Sequence, residues 1–138
     1  MTDRVSKEKR SEIMKRIRGK DTSPELIVRK LIHSLGYRYR LHGKNLPGKP
    51  DIVFSGRKKV IFVHGCFWHF HNTKLCNIWK IPKTRSVYWK QKFARNRARD
   101  LRKQLELKEA GWAYHIVWEC ELRDLARLRV NIVRFLEN

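Results

Sequence analysis

From Thr22 onward the chain switches between two spacings of apolar residues, and the switches mark out its elements. Leu26, Ile27, Leu31 and Leu35 recur at helical spacing behind Thr22-Ser23-Pro24-Glu25, and this predicts a helix with a hydroxyl cap and a proline in its first turn. Gly36 supplies its stop. Tyr37 to Leu41 alternates apolar and basic residues, as an edge strand does. Leu46-Pro47-Gly48-Lys49-Pro50 is a rigid loop that delivers Asp51-Ile52-Val53-Phe54 into a second strand, and Ser55-Gly56-Arg57 turns the chain back into a third, Lys58 to Val63. Val60 to Val63 is a short β-branched run of the kind that lies inside a sheet with both faces covered. Thr84 or Ser86 caps a long helix reaching about Ala110, which Gly111 closes, with Ala94, Ala98, Leu101 and Leu105 as its sheet-packing stripe. Trp112 to Trp118 is another strand, and a last helix spans roughly 121–136. The order predicts an α/β fold, a central mixed sheet flanked by helices in one domain over residues 1–138.

Before that core, residues 6–18 form a basic helix with a thin apolar stripe of Ile13, Met14 and Ile17, ended by Gly19; such a segment (1–19) is expected to order on meeting a partner. Composition names the class of partner. The net charge is +20, from 33 Lys+Arg against 13 Asp+Glu, and it is spread along the whole chain. A field of this sign and size selects a polyanion, with nucleic acid first. A membrane partner is disfavoured, because no apolar run approaches the ~18–20 residues a spanning helix needs. The polar N-terminus lacks the apolar core of a signal peptide, so the expected compartment is the cytoplasm, where the three cysteines stay reduced.

The chemistry concentrates in Val60-Ile61-Phe62-Val63-His64-Gly65-Cys66-Phe67-Trp68-His69-Phe70-His71, where a buried strand opens into histidines, a cysteine and large aromatics. Cys66, His71 and Cys76 are spaced so that one irregular loop can wrap a tetrahedral Zn²⁺, with Cys120 as the fourth ligand and His69 as the alternative. If the second and third strands pair as a hairpin, Asp51 meets the Val63–His64 end, and a carboxylate, a backbone carbonyl and an imidazole there suit Mg²⁺. Each residue also has a plainer reading: a turn aspartate after proline for Asp51, a helix-dipole complement for Glu25, an ordinary ion pair for Asp100, core packing for Trp89.

Pro50-Asp51 followed by His64-Gly65-Cys66-Phe67-Trp68-His69-x-His71 resembles the very short patch repair DNA mismatch endonucleases, which have the PD-(D/E)xK, restriction-endonuclease-like fold. The resemblance runs from about Lys15 to Glu121 through Leu46-Pro47-Gly48, Pro82-x-Thr84-Arg85, Trp89, Asn96-x-x-Arg99-Asp100, Gly111-Trp112 and Val117-Trp118-Glu119-Cys120. It implies a nick on the 5′ side of the mispaired thymine of a T·G pair in double-stranded DNA, within a short sequence context, with catalytic Mg²⁺ and structural Zn²⁺. Carried onto this chain, Asp51 and the Val63 carbonyl would hold Mg²⁺, and Glu25 would hold its water. His64 and His69 would be the acid–base pair, in either assignment, supported by Asp100, and Cys66, His71, Cys76 and Cys120 would hold Zn²⁺. The superfamily's second acid and lysine are replaced here by Phe62 and His64, and the interval from His71 to Cys76 is longer than the family pattern, so the loop must bulge.

For DNA, the resemblance assigns Phe67, Trp68 and Trp89 to intercalation beside the mismatch. Lys15 and Arg16 in the N-terminal segment, and Arg95 and Arg99 on the long helix, are expected phosphate contacts. The expected protein is a monomer in the bacterial cytoplasm, nucleoid-associated, with mismatch-repair proteins as further partners. Two alternatives keep part of this: a same-fold nuclease of other site or lesion specificity, and a catalytically silent zinc DNA-binding module.

Overall fold

In the computed structural model the described residues are 22–66, 69, 71, 76 and 83–138. The elements in chain order are α1 (Ser23–Ser34), β1 (Arg40–Leu41), β2 (Ile52–Phe54), β3 (Lys59–His64), α2 (Ser86–Glu109), β4 (Ala113–Trp118) and α3 (Leu125–Glu137), with short 3₁₀ turns at Ser55–Arg57 and Glu119–Arg123. The strands lie in the order β1-β2-β3-β4. β2 and β3 are antiparallel with Ile52 opposite Ile61. β3 and β4 are parallel, from Lys59 opposite Ala113 to His64 opposite Trp118. A parallel pair cannot be closed by a hairpin, so the chain crosses through α2 between them. The expected mixed α/β sheet is present, and the hairpin that brings Asp51 to the Val63–His64 end is present with it.

Side-chain alternation along the strands divides the interior into two layers. Ile52, Phe54 and Ile61 face α1 and α3, packing with Val28, Leu31, Ile32, Leu128, Ile132 and Leu136. Val53, Val60 and Phe62 point to the opposite face, where they meet Leu107 of α2. Both layers are fully dehydrated at their centres, which is the main source of stability in a domain this size. Lys59 adds a polar tie: its ammonium donates to the Phe135 and Leu136 carbonyls at 2.8 and 3.0 Å, satisfying acceptors that the end of α3 would otherwise leave open.

Several boundaries and faces differ from expectation. Only Arg40–Leu41 of the 37–41 segment pairs as a strand, although Tyr37 and Tyr39 still turn inward and set their rings edge-on to Phe54 at 6.4 and 6.3 Å. β3 begins at Lys59, since Lys58 has φ +53 and belongs to the turn. Thr22 occupies the N-cap of α1 without a side-chain cap bond, and its carbonyl accepts from Leu26 instead. Arg85, with φ +58, is the N-cap of α2, in place of Thr84 or Ser86. The 121–136 helix is interrupted at Asp124, whose carboxylate accepts the Arg127 N–H and starts α3 afresh at Leu125. Gly36 and Gly111, at φ +90 and +87, do end α1 and α2 as expected.

The largest correction concerns α2. Leu101 and Leu105 are 55% and 58% exposed, so the apolar stripe read from the sequence is not the buried one. Phe93, Gln104 and Leu107 are buried instead, with Asp100 half-buried between them. A similar exchange occurs in α1, where Val28 and Ile32 are buried while Leu26 and Ile27 face outward. In both helices the inward face carries polar groups that the site needs, and these displace apolar residues from the pattern.

His115 on β4 stacks on Phe135 with ring centroids 5.2 Å apart, and its Nε2 has no hydrogen-bond partner among the described residues. Burial holds its pKa below the ordinary 6.5. The unfolded chain therefore takes up this proton first as pH falls, so stability is full above about 6.5 and is lost below it. Urea midpoints measured at pH 7 and pH 5 should fall less in His115→Phe than in the wild type; an equal fall would remove His115 from the pH dependence.

Candidate active site and metal centre

The open end of the β2–β3 hairpin builds the first half of the site. Asp51 sits just before β2, and its Oδ2 accepts the Val63 N–H at 2.7 Å. This bond pins the carboxylate beside the last residues of β3. Glu25, in the first turn of α1, is 7% exposed and faces the same point from the helix layer. Burial pushes the Asp51 carboxyl up to about 6; the Val63 amide opposes the rise and the nearby Glu25 carboxylate adds to it. Two acids held this close out of water favour a bound cation, and one oxygen each from Glu25 and Asp51, with a His42 ring nitrogen, lie within 4.8 Å of one another.

Immediately beyond Val63, His64 and His69 stack face to face, with ring centroids 3.7 Å apart and planes 7° from parallel. His69 Nδ1 is 2.8 Å from Asp100 Oδ2, a carboxylate delivered by α2 from across the sheet. Asp100 is held below the usual carboxylate range: burial works against ionisation, but the His69 hydrogen bond and the neighbouring positive charges outweigh it. His64 is buried, boxed by Phe62 and Trp118, and burial lowers its pKa to about 3. Its Nδ1 has no hydrogen-bond partner among the described residues. The two rings thus differ in environment: His69 has a carboxylate that orients it, while burial keeps His64 neutral.

These groups open onto a cleft of about 980 Å³ lined by Glu25, Asp51, Val63, His64, His69 and Asp100, with Lys44, Lys49, Arg99 and Lys103 around it. Acid–base and metal-binding groups at its floor and cations around its walls suit a phosphodiester.

A second cluster lies behind the first. Ligand atoms of Cys66, His71, Cys76 and Cys120 are all within 4.8 Å of one another, and could hold a metal ion. Cys120 Sγ and His71 Nδ1 are 3.4 Å apart, and the Cys120 N–H donates to Cys66 Sγ at 3.3 Å. The parallel register explains the meeting: Cys66 follows His64 by two residues, Cys120 follows Trp118 by two, and His64 and Trp118 are paired. His71 lies flat on Trp118 at 4.0 Å, which fixes the imidazole plane. Burial raises the pKa of the Cys66 and Cys120 thiols. Cys76 joins the set across its longer interval, and His69, committed to Asp100, does not.

All five expected catalytic residues, Glu25, Asp51, His64, His69 and Asp100, therefore meet in one cleft. Trp89 stands in the first turn of α2, half-buried, its ring 5.8 Å from that of Phe93. Arg95 and Arg99 are both exposed on α2, and Arg99 alone of the two lines the cleft. Phe67, Trp68, Lys15 and Arg16 lie outside the described residues. Sequence reasoning missed His42 and Arg29, which contact each other beside Glu25. His42 belongs to no motif; the signal that could have found it is its place across the strands from Asp51, whose carbonyl accepts the His42 N–H.

The fold is the restriction-endonuclease-like α/β type, with acids and histidines at the cleft and a cysteine–histidine cluster behind them. The family described as DNA mismatch endonuclease Vsr matches residues 2–75. The type II nicking enzyme V.XorIIP of Xanthomonas oryzae pv. oryzae is 52% identical over 99% of this chain and 98% of its own length. V.NmeAIP, a type II nicking enzyme of Neisseria meningitidis, is 43% identical over 99% of this chain and 95% of its own. The DNA mismatch endonuclease Vsr of Escherichia coli is 41% identical over 93% of this chain and 80% of its own. This chain belongs to the Vsr family of DNA mismatch endonucleases. Among the described residues, no helix is long and apolar enough to cross a membrane.

If the cysteine–histidine cluster holds an ion, Cys120→Ala should bind about one metal fewer per chain than the wild type by elemental mass spectrometry, because a tetrahedral set needs its fourth ligand. Unchanged metal content would remove Cys120 from the set.

Proposed function

We propose that this chain is a Mg²⁺-dependent endonuclease that nicks one strand of double-stranded DNA on the 5′ side of the mispaired thymine in a T·G mismatch, within a short sequence context. One observation carries the reading: a close carboxylate pair, Glu25 and Asp51, and an imidazole pair with its own carboxylate, His64 and His69 with Asp100, line one basic cleft. Membership of a mismatch-endonuclease family supports the substrate.

Asp51 and the backbone carbonyl of Val63 would hold Mg²⁺, with Glu25 placed to hold its water; such a hard, all-oxygen set with few protein ligands suits Mg²⁺. When bound, the ion polarises the scissile phosphate and stabilises the charge that develops there. The chain's own residues supply orientation and a base that takes the proton of the attacking water. Asp100 takes the Nδ1 side of His69, so Nε2 faces the reacting groups, and the carboxylate stabilises the imidazolium as the ring accepts a proton. His64, neutral and stacked on that ring, fixes its plane without competing for the proton. Lys44, Lys49, Arg99 and Lys103 guide the phosphate backbone into the cleft.

Three thiolates and an imidazole from Cys66, His71, Cys76 and Cys120 suit Zn²⁺ in a closed tetrahedral set, which makes that ion structural. It holds the segment bearing Phe67 and Trp68, which together with Trp89 wedge beside the mismatch; mismatched steps unstack at lower cost, so insertion is itself selective. The basic 1–19 segment, with Lys15 and Arg16, and Arg95 on α2 complete the phosphate contacts, the former ordering on DNA. Nicking one strand requires one copy of the site, so the working unit is a monomer, placed on bacterial DNA in the cytoplasm and handing its product to mismatch-repair proteins. A silent DNA-binding module needs neither the acid pair nor an oriented His69, and this disfavours it.

Strand-labelled duplexes of the same sequence, one with T·G and one fully matched, test the substrate in the presence of Mg²⁺. The expected result is a single nick 5′ of the mispaired thymine, at a rate exceeding the matched duplex by about tenfold or more, the factor that a difference of about 1.4 kcal/mol in unstacking gives. Equal cutting of both duplexes would contradict mismatch recognition and leave a same-fold nuclease of other specificity.

A further inference from the structure

His42 stands at the end of β1 with φ +53, in the left-handed region that a non-glycine residue adopts at a cost. Two cross-strand bonds hold it there: its N–H donates to the Asp51 carbonyl at 3.0 Å, and the Gly43 N–H donates to the Pro50 carbonyl at 2.9 Å. The unusual conformation therefore sits against the Pro50-Asp51 step itself. A ring nitrogen of His42, an oxygen of Glu25 and an oxygen of Asp51 lie within 4.8 Å of one another. From α1, Arg29 reaches both partners, with Nη2 3.2 Å from Glu25 Oε2 and 3.3 Å from His42 Nε2. The guanidinium side chain is 11% exposed.

Arginine only donates. In this contact His42 Nε2 is therefore the acceptor, which assigns the ring proton to Nδ1. Arg29 thus fixes Glu25 from one side and sets the tautomer of His42 on the other. The result is a short chain from α1, through His42, to the Asp51 end of the hairpin.

We propose that His42, oriented by Arg29, is a positioning residue of the divalent-cation site: it holds the Glu25 and Asp51 carboxylates in the mutual geometry that binds the ion. The inference rests on the reading of Asp51 as a cation ligand, and deepens it by naming what sets the affinity of that site. Outer groups that orient metal-binding side chains commonly set the affinity of such sites, by about 10- to 100-fold. The strain at His42 has a function on this account, since a glycine would relieve it and lose the imidazole.

Glycine provides the test, because it removes the side chain while favouring the backbone conformation. Mn²⁺ is the probe, followed by electron paramagnetic resonance on the full-length protein, with the Mg²⁺ concentration for half-maximal nicking measured alongside. His42→Gly should weaken Mn²⁺ binding by about 10- to 100-fold and raise the half-maximal Mg²⁺ by a similar factor, with kcat at saturating Mg²⁺ changed far less. Its melting temperature should equal or exceed that of the wild type. His42→Gln, whose amide can accept from Arg29 and donate to a carboxylate at once, should recover most of the affinity. Wild-type Mn²⁺ affinity in His42→Gly would overturn the inference, and so would a lowered melting temperature with no recovery in His42→Gln. Asp51→Asn separates the two readings: if it leaves the wild-type Mn²⁺ signal intact, the Asp51 cation site itself fails, and this inference with it.

Discussion

The parallel pairing of β3 with β4 is the constraint on which both halves of the site depend. His64 opposite Trp118 fixes where each strand ends, and the residues just beyond, Cys66 and Cys120, are brought within hydrogen-bond distance as a consequence. Antiparallel pairing on the other side of β3 brings Asp51 to the Val63 amide. A one-residue slip of β3 would turn His64 to the other face and separate the cysteines, dismantling both clusters together. The two clusters are thus back to back on one sheet edge, with Trp118 touching the inner ring of each: His64 edge-on and His71 flat.

Electrostatics bears on why so basic a chain gathers shielded acids here. Against a net charge of +20, Glu25, Asp51 and Asp100 are all drawn into one cleft, and each has a different partner. Asp100 is ionised against His69, Glu25 is paired with Arg29, and Asp51, restrained mainly by a backbone N–H, is the acid whose proton burial holds longest. The three acids thus differ in their surroundings: one meets an imidazole, one a guanidinium and one a backbone N–H. The surrounding lysines and arginines bring a polyanion to that point without filling it.

Much of this was legible in the sequence, and the reasons differ by residue. The β2–β3 hairpin was readable because apolar runs flank a short turn, and it carried the meeting of Asp51 with Val63. That the acid–histidine and cysteine–histidine groups would each meet followed from residue types at a strand end and from family resemblance. The buried face of α2 was not readable from hydrophobicity, since Leu101 and Leu105 face outward while Asp100 and Gln104 turn toward the cleft that needs them. His42 was invisible for a related reason: its importance comes from a cross-strand position and a left-handed φ, neither of which leaves a mark in one dimension.

The most direct test of hydrolysis at this sheet edge is the single-turnover nicking rate of Asp51→Asn on a T·G duplex that the protein still binds. The exchange preserves shape and removes the charge, so the account predicts intact DNA binding with a rate lower by about 10³-fold or more, the scale on which a lost cation site acts. Nicking by Asp51→Asn at the wild-type rate would contradict it.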